Sequence, residues 1–318
     1  MRKSRKYNVG FIGCGRVANN HHHAVNKCSN AHLMMISDIN EELAYDKAQK
    51  WQTNYCSPEE IINKQELDII FILTPVVTHY DYAVKALEAG KHVLIEKPVS
   101  FKLNEIQDLI NIARRTNKVC MPGHSYLYIP ELRRFKNCLK NSKIGIPTYM
   151  FMSEIYLMPE EKLKKYHGPL KEVMCHEIYL MLAYLGEPVE IKAFSSCFRE
   201  KLINTYEEQI MINAKFSEGT LAHLFVSWTG KDATSDPWTF KLKILGTDGG
   251  LNFSRRNVVN NTKNNSQKVN QLLYDEMFVK EVDYFINKCI LKNKPPLSTM
   301  EDAFKTMEIV KKIENSSK

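Results

Sequence analysis

Gly13, Gly15, Ala18 and Asp38 stand at spacings suited to holding a diphosphate and a ribose. The apolar run Val9-Gly10-Phe11-Ile12 ends in Gly13-Cys14-Gly15-Arg16-Val17-Ala18, and Asp38 follows twenty residues after Ala18. A strand, a tight turn and a helix N-terminus in this order form a dinucleotide-binding pattern. Gly13 permits the turn. Gly15 has no Cβ, so phosphate oxygens can approach the backbone. Arg16 and Val17 open a helix whose unpaired N–H groups and partial positive charge face the anion. Ala18 lets that helix pack closely on the strand. Asp38 closes a second apolar run, Leu33–Ile36, where a carboxylate accepts hydrogen bonds from an adenosine ribose. A Gly-x-Gly-x-x-Ala string alone arises by chance in loops; here the flanking elements and the acid agree with it. Ile39 and Asn40 bring no cation for a 2′-phosphate, which favours NAD over NADP.

The elements around these residues alternate. Strands are expected at Tyr7–Ile12, Leu33–Ser37, Ile69–Leu73, His92–Ile95 and Val119–Met121. Helices are expected at Val17–Lys27, Glu41–Trp51, Pro58–Asn63, Tyr80–Ala89 and Leu103–Thr116. Such alternation predicts parallel strands joined by crossover helices. After Gly123 the pattern changes to a helix near Glu131–Asn141 and then longer strand-like runs. These are Thr148–Tyr156, Glu190–Cys197, Gln209–Phe216, Gly219–Trp228 and Trp238–Leu245. Strands without crossover helices predict an antiparallel sheet. Ser217-Glu218-Gly219 and Thr247-Asp248-Gly249-Gly250 read as turns, and Asn257–Gln271 as an exposed loop. Helices near Asp275–Leu291 and Met300–Ile313 end the chain, split by Lys294-Pro295-Pro296.

The bulk properties narrow the field. With 318 residues, two domains are expected, residues 1–122 and 123–318. The net charge of +8 suits anionic small molecules. No Lys/Arg block with interleaved aromatics points to nucleic acid. Eight cysteines, none in a C-x-x-C pair, read as reduced thiols of a cytoplasmic protein. The basic N-terminus precedes an apolar run too short for a signal peptide, and no run approaches the roughly 20 apolar residues of a membrane span.

Further along stand Thr74-Pro75-Val76-Val77-Thr78-His79 and Ala89-Gly90-Lys91-His92-Val93-Leu94-Ile95-Glu96-Lys97-Pro98. With Gly10–Ala18, His21, Asp38, Pro130, His176, the Gly246-Thr247-x-Gly249 turn and Phe278-x-x-Glu281-Val282-x-x-Phe285, these resemble the Gfo/Idh/MocA family. That is the glucose–fructose oxidoreductase and inositol dehydrogenase group, and the likeness covers nearly the whole chain. It implies an α/β fold: an N-terminal Rossmann doubly wound parallel sheet, then a C-terminal α+β domain with an open, mostly antiparallel sheet. It also implies a homodimer or homotetramer. The implied activity is NAD-linked hydride transfer at a hydroxyl or keto carbon of a sugar, amino sugar, nucleotide-sugar or cyclitol.

Such chemistry needs a base near the hydroxyl and a cation for the developing alkoxide. The resemblance casts Lys97 as the cation, in contact with both substrate and cofactor, and His176 as the acid/base. On its own, a histidine on an apolar helix more often serves packing. Helical spacing through Lys171–Leu185 puts Glu172 one turn from His176, where it could orient the imidazole, and Tyr179 at the next turn. The cofactor set is then Gly13, Gly15, Arg16, Val17, Ala18, Asp38, Thr74, Pro75, His79, Glu96 and Lys97. The substrate set is Lys97, Tyr126, Tyr156, His176 and Tyr179.

Departures from the family pattern bear on the substrate. The family often has Asp at the positions of Glu172 and Tyr179, and Asn-Arg-Arg-Phe where this chain runs Ser125-Tyr126-Leu127-Tyr128. Ångström-scale displacement of a carboxylate costs orders of magnitude in rate, so an altered substrate is expected. A catalytically weak dinucleotide-binding regulator and a reductase of non-sugar carbonyls or imines stay open as alternatives. Consecutive His21-His22-His23 point about 100° apart on a helix and cannot converge on one metal ion.

Overall fold

The computed structural model describes residues 6–163, 165–199, 207–230, 239–253 and 266–316. The chain divides into two compact units. The first comprises Met1–Ile129 and Tyr274–Phe304, the second Pro130–Leu273 and Lys305–Lys318.

The first unit runs β1 (Tyr7–Ile12), α1 (Arg16–Lys27), β2 (Ala31–Ser37), α2 (Glu41–Trp51), β3 (Asn54–Tyr55) and α3 (Pro58–Asn63). It continues with β4 (Ile69–Ile72), α4 (His79–Glu88), β5 (His92–Glu96), α5 (Leu103–Thr116) and β6 (Cys120–Gly123). Its six strands lie in the order β3-β2-β1-β4-β5-β6, and every pair is parallel. Every residue of β4, and Val93–Glu96 of β5, is buried, as a parallel sheet covered on both faces requires. Local chemistry sets the helix ends. Asn40 caps α2 by accepting from Leu43 N, and Ser57 with Glu60 closes a capping box on α3 behind Pro58. Gln52 and Asn117 end α2 and α5 in the left-handed region. Strand order reverses between β1 and β4, so the loops after these two strands flank the crevice where doubly wound sheets bind ligands.

The second unit begins with α6 (Pro130–Lys140), β7 (Pro147–Ile155) and α7 (Glu160–Leu163). A π-helical segment, Leu170–Met174, leads into α8 (Cys175–Leu185). Then come β8 (Glu190–Ser196), β9 (Gln209–Lys215), β10 (Leu221–Ser227), β11 (Lys241–Gly246) and β12 (Gly249–Phe253). The sheet order is β12-β11-β7-β10-β9-β8. Among the described residues, β7 and β10 pair in parallel and the other pairs are antiparallel. One face supplies the core, including Met150, Met152, Ile212, Leu224 and Ile244. The other carries Phe151 stacked on His223 and the exposed Phe194 and Leu221.

The last helices are α9 (Ser266–Tyr284), which continues π-helically through Ile290, and α10 (Met300–Ser316). Phe278 of α9 meets the His21 ring edge-on, and Phe285 lies near Phe71, which explains why Tyr274–Phe304 belongs to the first unit.

Several sequence expectations shift. The turn at Thr247–Gly250 joins β11 to β12, a strand hidden behind two glycines. Of the loop expected at Asn257–Gln271, residues 257–265 lie outside the described residues, and α9 already begins at Ser266. Trp238 also lies outside them. The turn at Ser217–Gly219 is as expected: Gly219 sits at φ 87° and donates to Phe216 O at 3.0 Å.

Candidate active site

The glycine turn after β1 packs against the end of β4. Gly13 has φ 101°, and a Cβ there would fall 2.7 Å from the carbonyl carbon and oxygen of Leu73. Only glycine allows this approach, which brings the first loop against Thr74. A Cβ on Gly15, by contrast, would meet no atom within 4 Å. Gly15 caps α1 with no side-chain hydrogen bond, and the first turn, with Arg16, Val17 and Ala18, holds no acid. The helix N-terminus therefore turns its first N–H groups and the positive end of its dipole toward an open approach. Asp38 follows β2 with its carboxylate held in place: Oδ2 accepts from Cys14 N at 2.7 Å and Oδ1 from Asn40 N at 2.9 Å. These residues fit a dinucleotide. Burial pushes the Cys14 thiol up to about 12.

The second loop is braced from beneath. Buried His79 places Nε2 2.7 Å from Thr74 O and Nδ1 3.0 Å from Pro98 O, spanning the loops after β4 and β5. Burial holds its pKa below the usual histidine value, against the two carbonyl contacts, which favour the charged ring. Thr78 donates to Thr74 Oγ1 at 2.8 Å, beside Pro75. His79 thus ties the loop after β4 to the loop after β5.

Lys97 follows β5 directly, and its peptide bond to Pro98 is cis. Glu96 turns inward. Its Oε1 lies 2.8 Å from His21 Nε2, and its Oε2 accepts from Lys97 N at 3.2 Å. Burial opposes ionisation of Glu96, yet the His21 hydrogen bond and the nearby Lys97 charge hold its carboxyl below the usual range. Of the three consecutive histidines, His21 is buried here, His22 stacks on Trp51 at 4.5 Å, and His23 is exposed. Tyr126 and Tyr128 are both buried on the turn after β6.

In the second unit, His176 stands in the first turn of α8 with Nδ1 2.7 Å from the Tyr179 hydroxyl. Oε1 of Glu172, the residue expected to orient this imidazole, accepts from His167 N at 3.3 Å and lies 3.2 Å from its Nδ1. That expectation took α-helical spacing; the backbone over Leu170–Met174, which includes Glu172, is π-helical. Tyr179 holds Nδ1 of the ring. Tyr156 accepts from Trp228 Nε1 at 3.0 Å.

Three buried groups near these positions were given no role by spacing alone. His124, after β6, lies 2.6 Å from Ser298 Oγ; burial and the Lys97 charge push it down to about 3. Glu177, beside His176, and Glu281, on α9, are fully buried carboxyls driven well above the usual range. Burial is the main cause for both, reinforced by Glu154 and Glu96 respectively. The Phe-x-x-Glu string flagged Glu281, but nothing local indicated what it would face.

Comparison with known proteins agrees with this layout. A family model described as oxidoreductase family, NAD-binding Rossmann fold (GFO_IDH_MocA), matches residues 7–124. A second, the GFO/IDH/MocA C-terminal domain, matches residues 132–252. The chain is 29% identical over 141 residues to the uncharacterized oxidoreductase YrbE of Bacillus subtilis (strain 168), covering 44% of this chain and 41% of that protein. It is 23% identical over 318 residues to the scyllo-inositol 2-dehydrogenase (NAD(+)) of the same organism, covering 94% of this chain and 90% of the relative. The crystal structure of scyllo-inositol dehydrogenase from Lactobacillus casei with bound NAD(H) and scyllo-inositol superposes with a TM-score of 0.83 at 18% identity. That match covers 98% of this chain and 97% of the other.

Proposed function

The chain belongs to the Gfo/Idh/MocA oxidoreductase family, with an NAD-binding Rossmann domain, and from that premise we propose that it oxidises a sugar-like alcohol or reduces the matching ketone. The substrate class is a sugar, amino sugar, nucleotide-sugar or cyclitol. The observation that carries this reading is the uncapped start of α1 above Gly15, in the same unit as an Asp38 carboxylate fixed for a ribose. NAD, when bound, supplies the hydride acceptor. We favour NAD over NADP because Asp38 would repel a 2′-phosphate and neither Ile39 nor Asn40 would pair with one.

In this reading Lys97 supplies the ammonium that stabilises developing alkoxide. His176 exchanges the hydroxyl proton. In the tautomer whose Nδ1–H donates to the Tyr179 oxygen, Nε2 is the nitrogen that takes the proton. Tyr126 and Tyr156 are the further candidates for substrate contact, and Glu172 secures the loop at His167 that leads into the His176 helix. The apolar outer face around Phe151, Phe194 and Leu221 suits self-association as a homodimer or homotetramer. The thiol-rich composition fits the cytoplasm.

The test is NADH formation across a panel of inositols, sugar phosphates and nucleotide-sugars, with NADP run in parallel. NADH formed from one class and absent with His176→Ala supports the reading. Tight NAD binding with no turnover on any polyol would favour the regulator alternative.

A further inference from the structure

The first unit buries a polar cluster that hydride transfer does not directly use. His21 engages Glu96 through Nε2, while its Nδ1 has no protein partner among the described residues. Neither carboxyl oxygen of Glu281 has one either, although Glu281 is fully buried. Buried polar atoms are almost always satisfied. These two sets lie in one neighbourhood. Phe278, one turn before Glu281 on α9, presents its ring to His21 with centroids 4.9 Å apart. Asp275, a further turn back, accepts from Asn20 Nδ2 at 2.6 Å, pinning α9 beside the residue that precedes His21. The Glu96 charge also bears on Glu281.

We infer that Glu281 completes His21 at Nδ1 across one ordered water, closing a buried relay Glu281–His21–Glu96 that positions Lys97. A carboxylic acid offers both an O–H donor and a C=O acceptor, so it matches Nδ1 in either tautomer. His21 then aims Glu96, and Glu96 holds the Lys97 backbone N–H through Oε2. Glu281 touches no reacting atom. It is a positioning residue acting through two others, and only its kinetic consequence rests on the dehydrogenase reading.

The test uses the full chain in three forms: native, Glu281→Leu and Glu281→Gln. Leucine removes both donor and acceptor, whereas glutamine keeps one of each. ¹⁵N spectra of the histidine side chains should show His21 Nδ1 shifted in Glu281→Leu and largely restored in Glu281→Gln. An Nδ1 signal identical in native and leucine forms overturns the relay, whether or not the protein turns over any substrate. Where turnover is found, Glu281→Leu should lower kcat on the order of tenfold to a hundredfold. Glu281→Gln should recover most of that loss, and NAD affinity should stay within about twofold in both. Equal kcat in the native and leucine forms refutes the positioning of Lys97.

Discussion

The Asp38 carboxylate accepts the backbone N–H of Cys14 across 2.7 Å, tying the acid at the end of β2 to the middle of the glycine turn. The residue that would receive a ribose also stiffens the loop that would receive the phosphates. Hydrogen bonds to charged groups contribute about 1.5–3 kcal/mol. Asp38→Ala should therefore weaken NAD binding roughly tenfold to a hundredfold and narrow the preference over NADP. Calorimetric titration with both cofactors measures this; unchanged discrimination would show that selection lies elsewhere.

The two glycines of the turn should fail in different ways. Gly13→Ala forces a left-handed residue against the Leu73 carbonyl, so the melting temperature should drop along with cofactor binding. Gly15→Ala meets only open space. It should melt near the native temperature while losing affinity for NAD, because its methyl group stands where phosphate oxygens belong. Thermal melts with and without NAD separate the two cases.

For the chemistry, Lys97→Met and His176→Ala should each lower kcat about a hundredfold or more. His176→Ala should leave NAD affinity intact. Tyr179→Phe, which removes the partner of His176 Nδ1, should cost less, on the order of tenfold. Steady-state rates with NAD affinity measured separately check all three; normal turnover by His176→Ala removes its assignment.

Stability should depend on mildly acidic pH. Burial holds His124 down to about 3 and His92 down to about 4. Between their ordinary values near 6.5 and these folded values, the unfolded chain binds more protons than the folded one. The stability they contribute is complete above about pH 6.5 and is lost as pH falls toward 4. Urea midpoints from pH 7 to 4 should decline, and His124→Asn should flatten part of that slope. A midpoint that rises on acidification contradicts the sign.

Much of the first unit was legible because its punctuation is local. Asn40, Ser57-Pro58 and the residues after Thr116 mark helix ends within a turn, so α2, α3 and α5 read to the residue. Information was lost where geometry is set at a distance. The spacing of Glu172 and His176 looks like one α-helical turn, but π-helical backbone leads into it, which no local residue announces. Strand β12 begins on Gly249-Gly250, which read as turn alone. The apolar stripe Phe278, Val282 and Phe285 announces a buried helix face; it does not say which core receives that face.

The parallel contact between β7 and β10 has a consequence for how the second unit is assembled. β9 with β10 and β11 with β12 are each neighbours along the chain and can zip up soon after synthesis. β7 emerges first but lies between β10 and β11, so both its borders stay unzipped until distant segments arrive. Closing such long separations is slow, and an uncovered strand border invites association with other chains. Nascent chains cut short before β10 should therefore clump, and refolding of this half should lag behind formation of its hairpins.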